Sequence, residues 1–246
     1  MDRSELKALV ENALGSHADR PGSVLYSGLD TVARGEFYIM GYNPAGDPTT
    51  TPICVLPTDD RIRDNAYTME CWHKHCTPPC EHLGPDRRLK TGAAVKHQSN
   101  VQKLCEALHP GLDAIAATER TFSCNAIFAS SAKSGGVDAT DWWPKCWPVH
   151  QRFLSIVRPR WIITLGRGWQ MSTFALLMIK AGKTYEDVQS TGDGRRDGRH
   201  FAAELPLGGG GNERLPVNVL GVPHPSYYAI SDGLKTFIGD VVAPSP

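Results

Sequence analysis

Four short apolar runs punctuate the chain, at 36–41 (EFYIMG), 123–129 (SCNAIFA), 161–165 (WIITL) and 217–222 (VNVLGV). Each is rich in β-branched or aromatic residues, lacks polar alternation and gives way to Gly, Pro or Ser, which predicts strands buried on both faces. Helical periodicity fills 99–108, 148–157 and 167–180. The opening stretch, MDRSELKALVENAL, predicts an amphipathic helix with Leu6, Leu9, Val10 and Leu14 on one side. Strands alternating with helices imply right-handed crossovers. The expected fold is therefore α/β, a three-layer αβα sandwich around a four-stranded, mainly parallel sheet.

With 246 residues, 41% of them hydrophobic, the chain can fill one large core, so 1–246 is expected to be a single domain. Two stretches look inserted: 49–98, which has little regular pattern, and the Gly-rich 191–214, which predicts a flexible loop. The longest aliphatic run, 174–179, is far too short for a bilayer, so no membrane partner is expected. The N-terminus is charged from its second residue and does not resemble a signal peptide, which suggests a cytoplasmic protein. Seven cysteines, an odd number without secretory context, argue against a disulfide framework. Lys and Arg total 26, as do Asp and Glu, so any nucleic-acid contact must come from local patches. A monomer is expected.

In parallel sheets ligands bind beyond the carboxyl ends of the strands, and the residues there are distinctive. The first strand runs into Gly41-Tyr42-Asn43-Pro44-Ala45-Gly46; the second carries Cys124-Asn125-Ala126 and leads to a Ser130–Gly136 stretch containing Lys133 and Ser134. Gly166-Arg167-Gly168 follows the third, and Pro223-His224-Pro225-Ser226-Tyr227-Tyr228 the fourth. Singly these are ordinary turn and loop sequences. In this order, GYNPAG, CNA, ITLGRG and HPS resemble the uracil-DNA glycosylase superfamily. The similarity covers 36–46 and 98–240, and in the first motif it is closest to the mismatch-specific and single-strand-selective members.

The resemblance implies a monofunctional DNA N-glycosylase that needs no cofactor and has DNA as its partner. Asn43 then holds the attacking water, which suits a reaction whose oxocarbenium-like sugar needs an oriented water more than a strong nucleophile. His224 donates to the pyrimidine O2 as charge builds on the departing base. Gly41, Tyr42, Pro44 and Ala45 surround the base and Asn125 reads its 4-position edge, in an amide orientation set by its neighbours. Where the prototypical uracil enzymes place a tyrosine that blocks a 5-methyl group, this chain has Ala45, which leaves room for a C5 substituent. The resemblance assigns DNA contacts to Lys133, Ser134, Gly166, Arg167, Gly168 and Ser226, the three glycine-loop residues opening a helix whose free N–H groups suit a phosphate. Tyr228 falls at the family's wedge position. Other readings stay open: Asn43 as a turn former, Tyr227 and Tyr228 as core residues starting the last helix, and the whole fold as a module that binds modified bases without cleaving them.

The unmatched segment holds Cys71, His73, His75, Cys76, Cys80 and His82, a spacing near that of zinc ligands, although no second cysteine pair follows and no metal is expected. Arg87, Arg88, Lys90 and Lys96, with Arg195, Arg196 and Arg199, form basic patches suited to DNA. Trp142, Trp143 and Trp147 are expected to pack beneath a helix starting at Pro148.

Overall fold

A computed structural model of the chain describes all residues except 45–50, 59–60, 71, 73–80, 132–135, 193–196, 209–211 and 243–246. Strands β1 (Phe37–Gly41), β2 (Phe122–Asn125), β3 (Trp161–Leu165) and β6 (Arg214–Val222) lie side by side in the order β2-β1-β3-β6, all parallel. Their register sets Gly41 beside Asn125, Met40 beside Thr164 and Thr164 beside Gly221. Successive residues of each strand feed opposite cores. Tyr38 and Met40 join one core with Phe122, Phe153 and Trp143, whereas Phe37 and Ile39 join another with Val101, Leu104 and Leu234. Burial on both faces is what unalternated apolar runs require.

The sheet has six strands rather than four, and it is mixed. β5 (Arg199–Pro206) pairs antiparallel with β6, and the two-residue β4 (Gln189–Ser190) pairs antiparallel with β5. Within the stretch expected to be a flexible loop, 199–206 is thus a strand of an edge hairpin. Phe201, Ala203 and Leu205 point inward while their neighbours face out, the alternation of a strand with one wet face. Beyond Asn125 the second apolar run is no longer a strand, although Ala126 and Ile127 still donate to the carbonyls of Gly41 and Tyr42.

Seven α-helices are assigned among the described residues. α1 (Arg3–Leu14) starts with a capping box, the Asp2 side chain accepting from Glu5 N–H while Glu5 reaches back to Asp2 N–H. α2 (Ala66–Met69) is a single turn, and α3 (Lys96–Leu108) packs against α4 (Ala114–Arg120). α5 (Ala139–Val157) runs through Pro144 and Pro148, so Trp142, Trp143 and Trp147 belong to the helix itself and are buried along it. α6 (Thr173–Lys180) starts later than 167, capped by Ser172, and α7 (Asp232–Phe237) follows the last loop. No helix among the described residues is long and apolar enough to cross a membrane.

Candidate functional site

A cavity of about 1100 Å³ opens at the carboxyl ends of the parallel strands. The chain leaves β1 toward β2, but leaves β3 toward the β6 side. The gap between β1 and β3 is therefore where loops diverge and ligands settle in open α/β sheets. A second cavity, of about 710 Å³, lies at the amino ends of β1 and β2, among Glu36, Phe37, His109 and Phe122. The sheet geometry favours the first.

Asn43, just past β1, has its amide nitrogen tied off. Nδ2 donates to the Ser131 hydroxyl at 2.8 Å, to the Pro44 carbonyl at 3.2 Å and to the Ala129 carbonyl at 3.5 Å. With the donor end engaged, Oδ1 is the group this cavity-lining residue offers to a ligand or water. Asn125 is 4% exposed and lies across its strand neighbour Gly41 so closely that a Cβ there would meet Asn125 Oδ1 at 2.2 Å. Its Nδ2 is buried with no partner among the described residues, as is the Tyr42 hydroxyl. The Tyr26 phenol is buried beside Asn125, and burial pushes its pKa up.

His224 is half-buried. The Ser226 N–H donates to its Nδ1 at 3.2 Å, so the neutral ring carries its proton on Nε2, for which there is no acceptor among the described residues. Burial holds the imidazole below its usual pKa, which favours this neutral donor. Gly166, at φ 128°, passes beside the ring; a Cβ there would come within 4.0 Å of His224 Cδ2.

The loop carrying His224 is braced by the first turns of α3. Lys96 Nζ donates to the Tyr227 carbonyl at 2.8 Å, and Asn100 Nδ2 donates to the carbonyls of Pro225 and Tyr228 at 2.7 and 3.0 Å. The His97 ring contacts the Ser226 hydroxyl at 2.9 Å and meets His224 edge-on at 5.4 Å. Burial, then repulsion from His224, lowers the His97 pKa to about 4. From His97 an aromatic wall continues through Tyr67, Trp72 and Tyr26, with ring centroids 5.5 to 6.1 Å apart.

Gly41, Tyr42, Asn43, Asn125, Gly166, Arg167, Gly168, His224, Ser226 and Tyr228 all line this cavity. Two expectations change, for the glycine loop and for the basic patch. Gly166, Arg167 and Gly168 form a loop ahead of α6 instead of opening that helix, because Met171 takes a left-handed conformation and Ser172 caps the helix. The Ser226 hydroxyl is engaged by His97. Arg87 pairs with Asp64 and Arg88 with Glu119, which neutralises much of that basic patch. Pro44 sits beside the cavity, its carbonyl joining the Asn43 and Ser131 contacts. Tyr227 and Tyr228 precede α7 and are exposed. Ala45, Lys133, Ser134, Arg195, Arg196 and the segment from Cys71 to Cys80, apart from Trp72, lie outside the described residues.

Sequence reasoning missed the aromatic wall. Tyr67, Trp72 and His97 come from the stretch that carries no regular pattern and is no richer in aromatic rings than the rest of the chain, so no local signal marks them. Arg199 also reaches the cavity, its guanidinium 4.0 Å over the Trp169 ring and donating to the Arg167 carbonyl. Among the described residues the lining carries Arg167 and Arg199 and no carboxylate. Comparison with protein-family models, curated proteins and solved structures finds no match for the chain.

Proposed function

We propose that this chain is a monofunctional DNA glycosylase that hydrolyses the N-glycosidic bond of a pyrimidine nucleotide flipped out of DNA. The carrying observation is that Asn43 and His224 reach one cavity with their polar ends already oriented. Asn43 presents a carbonyl oxygen and His224 presents an Nε2–H. As the bond from C1′ to N1 breaks, its electron pair leaves with the base, and the His224 donor stabilises the negative charge on the base oxygen. A water held by Asn43 Oδ1 forms the new bond to C1′ and releases its proton to the departing base or to solvent. An oxocarbenium-like sugar accepts a neutral water, so the absence of a carboxylate among the described lining residues is compatible with this chemistry. Asn125 Nδ2 and the Tyr42 hydroxyl are left for the edges of the base. Flipping is needed because C1′ is inaccessible in the stack.

The cavity has room for a uracil-like or C5-modified base. Arg167 and Arg199 suit the flanking phosphates. In this reading the chain acts on DNA as a monomer in the cytoplasm, in repair or in defence against phage with modified genomes. The test is incubation with oligonucleotides carrying uracil, mismatched thymine or 5-modified cytosines, followed by alkaline cleavage at abasic sites. Asn43→Ala should lower single-turnover release at least about a hundredfold while DNA affinity stays within about threefold. Release at the wild-type rate would remove Asn43 from the mechanism. Tight binding without an abasic product from any substrate would decide for a non-catalytic module, which needs Asn125 but has no use for the tied-off Asn43.

A further inference from the structure

Met171 combines two features that the fold alone does not account for. The residue is 59% exposed at the rim of the cavity, and its backbone sits at φ 46°, in the left-handed region that residues with a Cβ seldom adopt. Looseness of the loop is not the reason, because the loop is fastened on both sides of Met171. Gly166 N–H donates to the Val222 carbonyl and the Thr164 hydroxyl donates back to the Gly166 carbonyl. The Ser172 hydroxyl donates to the Gly168 carbonyl, and Thr173 Oγ1 donates to the Gly41 carbonyl at 2.7 Å. Trp169 is held between the Arg199 guanidinium and the edge of Tyr185, 4.5 Å away. A rigid frame thus displays an apolar side chain to water, in a strained conformation, on the same wall as Arg167 and Arg199.

We propose that Met171 is an intercalating residue whose ligand is a step between stacked bases next to the flipped nucleotide. The proposal rests on the DNA-glycosylase reading above. An unbranched, polarisable thioether is thin enough to enter between bases, and doing so removes from water the apolar surface that the free protein exposes. Strain retained at a binding site is expected where the surroundings fix the conformation. The two arginines of the same wall supply cations for the phosphates on either side of the opened step. Met171 lies on the loop after β3 and Tyr228 on the loop after β6, so the nucleic acid is entered from two loops.

The test uses the full chain and a duplex oligonucleotide with a tetrahydrofuran abasic-site analogue flanked by 2-aminopurine. This probe presents the gap that base release leaves, whichever base is excised. Wild-type protein should raise the 2-aminopurine fluorescence on binding. Met171→Ala and Met171→Gly should lose most of that rise and about tenfold in affinity, and Met171→Leu should retain both. Glycine tolerates the left-handed backbone, so Met171→Gly should melt no lower than wild type, which separates loss of the wedge from loss of fold. Alanine and glycine variants that match wild type in fluorescence and affinity, or a wild type that does not bind the probe, would overturn the proposal. A Met171-dependent signal from a protein that releases no base from the oligonucleotide panel would leave the wedge standing and sink the glycosylase reading. Base release by the wild type with no Met171 effect would do the reverse.

Discussion

Gly41 and Asn125 show how tightly single residues set this site. They are neighbours in the parallel register, and the Asn125 amide occupies the space where any other residue at 41 would carry its Cβ. Gly41→Ala should therefore push the amide out of position and lower base release by about a hundredfold, a cost of roughly 3 kcal/mol at the transition state. Its effect on the melting transition should be far smaller than for a core deletion. Single-turnover kinetics alongside thermal melts check this, and a variant that keeps its rate would mean that Asn125 does not read the base. The unpartnered Asn125 Nδ2 has a related meaning, since a buried donor without an acceptor costs about 1–3 kcal/mol. In the proposed reading a base acceptor would remove that cost on binding. Asn43, Asn125 and His224 were legible in the sequence because each sits within a few residues of a strand end, where local motif and position coincide. His97 was not, because its role arises only when the fold brings it to Ser226, 129 residues away.

At the scale of elements, α3 acts as a splint for the His224 loop. Asn100 alone satisfies two of the loop's carbonyls, and its side chain is buried. Asn100→Ala should lower stability by about 1–3 kcal/mol in urea denaturation. It should also slow base release by at least about tenfold, since His224 would lose its fixed aim. A variant with the expected stability loss and an unchanged rate would show that the loop holds its shape without α3. The four parallel strands were readable from their unbroken apolar runs. β5 was not, because the glycines on either side of Phe201, Ala203 and Leu205 outweigh a short alternation. The front half of α5 was hidden for a different reason. Pro144 and Pro148 read as helix breakers, yet the buried Trp142, Trp143 and Trp147 hold the helix together across both.

Across the whole molecule, burial of histidines links folding to pH. His150 is fully buried: its Nε2 contacts the Ala126 carbonyl at 2.8 Å, and its Nδ1 contacts the Tyr38 hydroxyl, which also meets Cys124 Sγ. Burial lowers its pKa to about 4, and His97 is lowered to about 4 as well. Both sit near 6.5 in an unfolded chain, so between these values the unfolded state binds protons that the folded state refuses. The stabilisation is complete above pH 6.5 and is lost as pH falls toward 4, by roughly 3 kcal/mol for His150 alone. Asp138, Asp141 and Asp187 have lowered pKa values and respond only at and below their ordinary carboxylate range, so they do not mask this window. Urea midpoints at pH 7.5 and 4.5 check it, and equal midpoints would show that the buried imidazoles do not govern acid stability.

The edge hairpin has a further consequence, for how copies of this protein meet one another. A sheet grows by adding strands to an unpaired margin, and here neither margin is a long, flat template. Along β2 the outer side is already bridged by Leu25 and by hydrogen bonds from Tyr26 and Ser27 to Ser123. Along β5 the open stretch is short, bounded by the β4 pair at one end and Pro206 at the other. The outward-facing Glu204, paired with Arg214, sets a charge in the middle of it. A second copy arriving there would have to bury that charge to gain only a few backbone hydrogen bonds. The hairpin therefore both widens the sheet and ends it, which disfavours self-association through the sheet and leaves the loop face to the ligand.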